Sequence, residues 1–517
     1  MFQRLCYRPF VGAVGGATSA WFVGSDSIQS DRCNTTLQSA KEEGDTTRAV
    51  FRVLVVGSGL TGSLACWKIR QNWNANASSS FANTSHRVRH RRLPSLELEV
   101  AERATYPAGR FGAQAEYEGL VANLGAQVLS TVNPSDYRAL GGHGVRVEDI
   151  RLADQLATTL VSEGLIERVP DEALCGTEER MIFEGLWHHY LCCSNTYTEG
   201  GGMVAVLSYL LKQAQVVSPR FGLRIDSVVP QQAQHYKDLR HQHQPTTSND
   251  NCQSNGSILV RGIQRFHPTT TSPSKATPSE LFENTYDVVV ICVPAPEALR
   301  ILLGKGEKET LTSSPTDVPT TLDDCFPPQA SYVLNHVRYD ERTCQAHFFR
   351  RDKVAPLLRG VFRNNVELNL EEGNNIEYLS WQDARRAGLG HADRNTTALV
   401  VHGATGRKLA SDTVDATLSK LLGVGVPEIQ SWRLFKKEIH WNPSQMISPM
   451  EALFSEPRTM QCLTMIDHDG DSNTNTNSRI ILAGDYLTTS NFLGCVATAN
   501  AAASVVVDVA LSSQLSN

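Results

Sequence analysis

The 12 cysteines of this chain contain no C-x-x-C pair and follow no regular spacing. That lack excludes a zinc ribbon and a disulfide framework, and leaves buried apolar thiols. The one adjacent pair, Cys192-Cys193, is a poor geometry for a bridge. An excess of positive charge is missing too. With 48 Lys and Arg against 54 Asp and Glu, the net charge is −6, which gives no reason to expect nucleic acid as a partner. No acid–base pair, nucleophile motif or metal cluster is evident, and His188 and His189, beside Trp187 and Tyr190, read as core or surface residues. Beyond the N-terminus, no uncharged apolar run reads as long enough to cross a bilayer. The chain does have ample apolar material: 41% hydrophobic and 20% charged residues over 517 positions, a soluble globular composition with room for two or three domains.

The first stretch differs from the rest. Arg4 and Arg8 precede a mildly apolar segment from Phe10 to Gly24, and no acidic residue occurs before Asp26. Residues 1–47 therefore read as a targeting or disordered segment, of mitochondrial, plastid or secretory type. The compartment stays open among the three.

The organising stretch follows. Val53–Val56 is a short β-branched run of the kind buried on both faces of a parallel sheet. Gly57, Gly59 and Gly62 come next at G-x-G-x-x-G spacing, and Ser63–Ile69 reads as a helix. The first glycine permits the tight turn, the second a close approach to a diphosphate, and the third close packing of helix on sheet. The diphosphate would rest on the N–H groups that open the helix. Alone, this fingerprint allows NAD, NADP or FAD.

Such a fold places an acidic residue after its second strand, roughly 20 residues past the glycines, to hold a ribose. Glu102 ends the alternating strand Leu96–Val100 but lies 45 residues past Gly57. Removing the 22-residue polar passage Trp73–Pro94 restores a separation of 23. That passage reads as a surface insertion, and its basic run His86–Arg92 as a solvated loop. Further along, Pro134 to Asn195 reads mainly helical, with Val147–Glu163 strongest, and Met203–Ala214 is another helix. Strands are expected at Gly222–Val229, Ser257–Ile263, Tyr286–Cys292, Ser331–Val337, Gln345–Phe349, Ile376–Ser380, Ala398–Gly403, Ser431–Ile439 and Arg479–Ile481. Helices are expected at Asp412–Leu422, behind a Ser-Asp cap, and at Val496–Ala510. Residues 302–328 read as loop.

Taken together, Val55-Val56-Gly57-Ser58-Gly59-Leu60-Thr61-Gly62-Ser63-Leu64, Gly109-Arg110 and Leu124-Gly125-Ala126-Gln127 carry a resemblance, extended by Asp287–Ile291 with Pro294-Ala295-Pro296-Glu297. Its most specific part is Gly484-Asp485 with Thr489-Ser490-Asn491-Phe492 and Gly494-Cys495. These residues resemble the flavin-dependent amine oxidase superfamily, and within it the renalase family. The resemblance implies an α/β fold: a Rossmann-like FAD-binding domain of the p-hydroxybenzoate hydroxylase and amine oxidase type, with an inserted mixed-sheet substrate domain. It implies a discontinuous FAD-binding unit from 48–130, 200–300 and 478–517, with polar insertions near 73–94, 231–255 and 268–279. Residues 131–199 and 325–445 would form the substrate unit.

Carried over by position, the resemblance places Gly57, Gly59, Leu60, Thr61 and Gly62 on the FAD diphosphate and Glu102 on the adenosine ribose. It puts Arg110 near the diphosphate or flavin, Gln127 near the isoalloxazine, Val228 against adenine through its backbone, and Asp485 on the ribityl or diphosphate region. Gly494, Cys495 and Val496 open the last helix, whose N–H groups would face N1 and C2=O of the flavin. Asn491 and Phe492 stand near the ring as further candidates, and no residue is assigned an acid–base role. Three positions depart from the family pattern: Ala108 for a glycine, Asn123 for an aspartate and Glu102 for an aspartate. The implied activity is oxidation of isomeric, 2- or 6-dihydro, NAD(P)H by non-covalent FAD, with dioxygen as acceptor and hydrogen peroxide as product. Two alternatives stay open. An amine oxidase or carotenoid-type dehydrogenase would have an apolar tunnel and, in the amine oxidases, a lysine near N5, for which Lys436 and Lys437 are the candidates. The other is a flavin-fold protein without turnover.

Overall fold

The computed structural model describes residues 49–82, 93–139, 145–169, 187–192, 202–230, 257–265, 279–304, 328–363, 367–370, 375–383, 395–446, 463–464 and 479–513. The N-terminal segment 1–47, the basic run 86–92, the insertion 231–255, the insertion 268–279 except for its last residue, and most of the 302–328 loop lie outside them.

A six-stranded sheet carries the fold, in the order β18 (Leu463–Thr464), β19 (Ile480–Leu482), β12 (Val288–Ile291), β1 (Val50–Val56), β2 (Ser95–Glu102) and β8 (Ser218–Phe221). Every neighbouring pair is parallel except β18 with β19. From β1 the chain passes through helix α1 (Leu60–Ala82) to β2 on one side, while β12 flanks β1 on the other. The carboxyl end of β1, where Gly57 sits, is thus the point at which strand order reverses, and the crevice outside it is where such sheets bind ligands.

The continuous apolar strands are explained by their two faces. Val53 and Val55 pack with Cys66 and Ile69 of α1 and with Ala502 and Val506 of the last helix, α11 (Phe492–Ser513). Leu54 and Val56, pointing the other way, pack against an antiparallel meander of β9 (Leu223–Pro230), β10 (Ile258–Arg265) and β11 (Ser279–Tyr286), through Ile225, Val228, Val260 and Tyr286. The same alternation separates Val288 and Val290 from Val289 and Ile291. A period of two inside an all-apolar run gives three layers: helices, parallel sheet, meander. Helices α6 (Ala295–Leu303) and α7 (Pro328–His336) close the meander side.

On the helical side, α4 (Val147–Ser162) and α5 (Met203–Gln213) pack with α1 and α11 over a small sheet of β5 (Leu129–Val132), β7 (Trp187–Cys192) and β6 (Ile166–Arg168). The short helix α3 (Pro134–Ala139) leads into α4. The mainly helical reading of 134–195 is corrected here: β6 and β7 are strands, and His188 and His189 belong to β7, paired with Thr131 and Ser130.

Between β12 and β19, which are neighbours in the main sheet, the chain inserts a five-stranded antiparallel sheet. Its order is β14 (Glu367–Asn369), β15 (Ile376–Trp381), β16 (Thr396–Gly403), β13 (Arg342–Arg350), β17 (Arg433–Trp441). One face, with Phe349, Leu379 and Val401, packs against α8 (Arg351–Phe362), α9 (Ser411–Leu422) and α10 (Val426–Trp432). The other, with Ala346, Phe348 and Val400, packs against the hairpin β3 (Gln114–Tyr117) and β4 (Leu120–Asn123). That hairpin leaves the turn after α2 (Gly109–Gly112), so it ties the inserted sheet to the nucleotide end of the main sheet.

Other expected elements differ in the structure. Helix α1 runs to Ala82 instead of Ile69, because Trp73 is buried and its ring packs at a tilt on Phe51, centroids 5.5 Å apart. Residues 331–337, expected as a strand, are mostly helix α7, with Val333, Leu334 and Val337 turned into the meander core. The Ser-Asp cap of α9 is not formed: Ala410 is its N-cap, and among the described residues no side chain bonds there. Helix α11 is long and apolar enough to cross a membrane, with a mean hydropathy of 1.7, so the reading that no such run exists is corrected as well. It is mostly buried and packs between α1 and α4 as a core helix.

Candidate functional site

Four segments distant in sequence converge at the carboxyl end of β1. Gly57 has φ +94°, which an L side chain rarely adopts, and its N–H donates to Ala101 O at 2.8 Å, locking the turn to β2. A Cβ on Gly62 would overlap the Gly57 carbonyl, so this glycine is needed for helix–turn packing. Gly59 is different. The nearest described atom to a Cβ there is Gly109 Cα, at 3.9 Å, so nothing among the described residues demands a glycine. Leu60 and Thr61, at the start of α1, are buried.

Glu102 reaches this turn from the end of β2. Its Oε2 accepts the Ser58 N–H at 2.9 Å and the Ser58 hydroxyl at 3.0 Å, and its Oε1 accepts the Ala104 N–H at 2.9 Å. A carboxylate can accept about four hydrogen bonds, so these three leave capacity for a ligand hydroxyl. The interruption before β2 therefore leaves its register intact: Val56 pairs with Ala101, one residue before Glu102.

Arg110 enters from α2. Its Nη2 donates to Asp485 Oδ1 at 2.8 Å, its Nη1 donates to the carbonyl of Ser444, and its guanidinium lies 5.5 Å from the Tyr339 ring. Burial works against the charge on Arg110, but the Asp485 carboxylate outweighs it and holds the guanidinium protonated above its ordinary range. The second oxygen of Asp485 accepts the Ser490 hydroxyl at 2.6 Å. The Tyr339 hydroxyl accepts the Ala295 N–H at 3.2 Å, which places it at the start of α6; burial first, then Asp485, raises its pKa.

Among the described residues, two hydroxyls close to Asp485 in sequence have no partner: the phenol of Tyr486 and Oγ1 of Thr488, both buried. An unbonded buried hydroxyl costs about 1–3 kcal/mol, which a bound polar ligand removes. Together with the open space at Gly59 and the spare capacity of Glu102, these atoms fit a diphosphate-bearing dinucleotide.

The remaining predicted residues divide. Val228 is buried in the meander core on β9, an edge strand whose far side faces away from β10. Gln127 is nearby, but its amide is largely committed: Nε2 donates to Asn123 O at 2.6 Å and Gly125 O at 3.0 Å, and Oε1 accepts from Gln382 at 3.2 Å. Asn491 caps α11. Its Oδ1 accepts the Gly494 N–H at 2.9 Å and its carbonyl the Cys495 N–H at 3.1 Å, so the two N–H groups expected to face a flavin are bonded within the helix start. Phe492 and Val496 are buried in the helical core. Burial pushes the Cys495 thiol up to about 12, so it is protonated at neutral pH and a poor nucleophile.

Lys436 and Lys437 do not converge on the site. Lys436, paired with His347, lies on the helix-covered face and bonds Ser411 Oγ at 2.6 Å, with Glu438 at 3.2 Å. Lys437 shares the hairpin-side face with Ile439 and Trp441. Trp441 is the member of that row at the site, donating to Leu124 O at 3.4 Å. Lys437 is exposed and four residues back, about 13 Å along the strand. Among the described residues, no group of three His, Cys, Asp or Glu is placed to hold a metal ion.

Sequence reasoning missed Ser58, Tyr339, Gln382, Ser444, Tyr486 and Thr488. Only Ser58, Tyr486 and Thr488 had a signal, adjacency to residues already singled out.

No family model matches the chain, and no curated protein matches it. Solved structures do. Putrescine oxidase bound to putrescine is 11% identical with a TM-score of 0.44, covering 89% of this chain and 100% of that one. Cyclohexylamine oxidase from Brevibacterium oxydans IH-35A is 10% identical at 0.41, covering 90% and 99%. An oxidoreductase from Methanosarcina mazei is 11% identical at 0.38, covering 87% and 99%. At those values the likeness bears on neither cofactor nor substrate, which rest on the site itself.

Proposed function

We propose that the chain is an FAD-dependent oxidoreductase that takes a hydride from an isomeric dihydronicotinamide, 2- or 6-dihydro NAD(P)H, and uses dioxygen as acceptor. The observation that carries this reading is the convergence of the Gly57–Gly62 turn, Glu102, Arg110 and Asp485 at the switch point of a parallel sheet. FAD, when bound, supplies a two-electron sink that accepts the hydride and passes both electrons to dioxygen, giving hydrogen peroxide.

The chain's own tasks are to bind and to orient. The glycine turn admits the diphosphate, Glu102 accepts ribose hydroxyls, and Arg110, fixed between Asp485 and Ser444, offers a constant positive charge to the diphosphate or flavin. The inserted antiparallel sheet, lying over the β3–β4 hairpin, acts as the substrate half. A hydride donor of this class needs stacking and exclusion of wrong partners more than proton transfer. The position of Lys436 and Lys437 favours it over an amine substrate. The protonated Cys495 thiol supports non-covalent attachment. The retention of both halves of the site argues against a scaffold without turnover.

The test is a visible spectrum after incubation with FAD and desalting. Retained flavin absorbance that passes to the supernatant on acid precipitation is expected. Protein that stays colourless overturns the reading, and yellow colour left in the pellet overturns non-covalent attachment.

A further inference from the structure

Gln382 follows β15 and is almost fully buried, at 1% exposure. Its N–H donates to Ala398 O of β16 at 3.0 Å, fixing its backbone to the inserted sheet. Its side chain faces the turn after β4. Oε1 accepts the Asn123 N–H at 3.1 Å, and Nε2 donates to Gln127 Oε1 at 3.2 Å and to Ser380 Oγ at 2.8 Å. Gln127 is itself anchored by two backbone carbonyls of the same turn, so the two amides hold each other in one orientation.

That turn presses on Arg110. Ala126 N–H donates to Arg110 O at 3.1 Å, and a Cβ on Gly125 would overlap the same carbonyl oxygen. An unbroken set of contacts therefore runs from the inserted sheet through Gln382, the Asn123–Gln127 turn and the Arg110 backbone to the Arg110 guanidinium on Asp485. We infer that Gln382 is a positioning residue, through which the inserted sheet sets the placement of Arg110 and so the affinity and environment of the cofactor. The inference rests on the functional reading above. It adds that Gln382 braces Arg110 through Gln127 and the turn that holds it.

The test compares Gln382→Leu, which removes every side-chain bond, with the isosteric Gln382→Glu, which can still accept from Asn123 but cannot donate to Gln127. Binding of FAD by fluorescence quenching and the visible circular dichroism of bound flavin are measured, with thermal melts of the FAD-free proteins. Both variants are expected to weaken FAD about tenfold and to alter the flavin dichroism. Gln127→Leu combined with Gln382→Leu should weaken it no further than either alone. FAD bound with wild-type affinity and dichroism by the variants, or a loss confined to the melts, overturns the inference alone. Wild-type protein that takes up no FAD overturns the functional reading and this inference with it.

Discussion

Arg110 and Asp485 are 375 residues apart in the chain and meet at 2.8 Å, Asp485 only 4% exposed. The pair joins the first glycine-rich half of the site to the C-terminal half. Replacing Asp485 with Asn leaves the guanidinium without its counter-charge. A cost of about 1–2 kcal/mol is expected, since the Arg110 side chain retains 28% exposure and solvent screens part of the interaction. Calorimetric melts and FAD binding should both register it. Arg110→Lys should fare little better, because one ammonium cannot span Asp485 and the Ser444 carbonyl in fork geometry.

The glycines of the first turn should separate fold from binding. Gly59→Ala meets nothing closer than ordinary contact, so the melting temperature of the FAD-free protein should hold while FAD uptake falls steeply. Gly62→Ala should lower the melting temperature outright, because the new Cβ overlaps the Gly57 carbonyl. Equal effects on stability at both positions would contradict a ligand-facing role for Gly59.

Glu102→Ala removes the acceptor for Ser58 and Ala104 as well as for a ribose. FAD affinity should fall about tenfold or more, by loss of charge-assisted hydrogen bonds. Glu102→Asp keeps a carboxylate with a shorter reach and should lose less. Titration of FAD by fluorescence distinguishes the two.

Alkaline pH should destabilise the fold through its buried thiols. Cys344 and Cys495 are both raised from 9.0 to about 12, burial being the main cause. Above pH 9 the unfolded thiols ionise while the folded ones keep their protons, so stability is full below that value and declines towards pH 12. The slope is up to about 1.4 kcal/mol per pH unit for each thiol. Urea midpoints measured across this window should fall less steeply for Cys495→Ala than for the wild type.

The strand–glycine–helix unit was legible because its information is local: a β-branched run and glycine spacing within a dozen positions. Glu102 was legible only after the polar passage was set aside, and in the sheet Ala101, one residue before it, lies opposite Val56. Helix α1 extends beyond the local signal because its second half is rich in Asn and Ser, which favour caps and turns over helix interiors. The contact of Trp73 with Phe51 lies outside any local pattern. Helix α7 was misread for a related reason. The run Ser331-Tyr-Val-Leu334 suits a strand locally, and the meander core selects the helix by taking Val333, Leu334 and Val337 from one side. The Gln382 and Ser444 contacts had no sequence signal, because their partners are 255 and 334 residues away.

The central claim is tested most directly by anaerobic titration of the FAD-loaded protein with 2- and 6-dihydronicotinamide isomers, followed at the flavin absorbance. Bleaching by at least one isomer within the mixing experiment, reversed on admitting oxygen with hydrogen peroxide formed, is the predicted result. No bleaching by either isomer, alongside rapid reduction by a primary amine or polyamine, would contradict it.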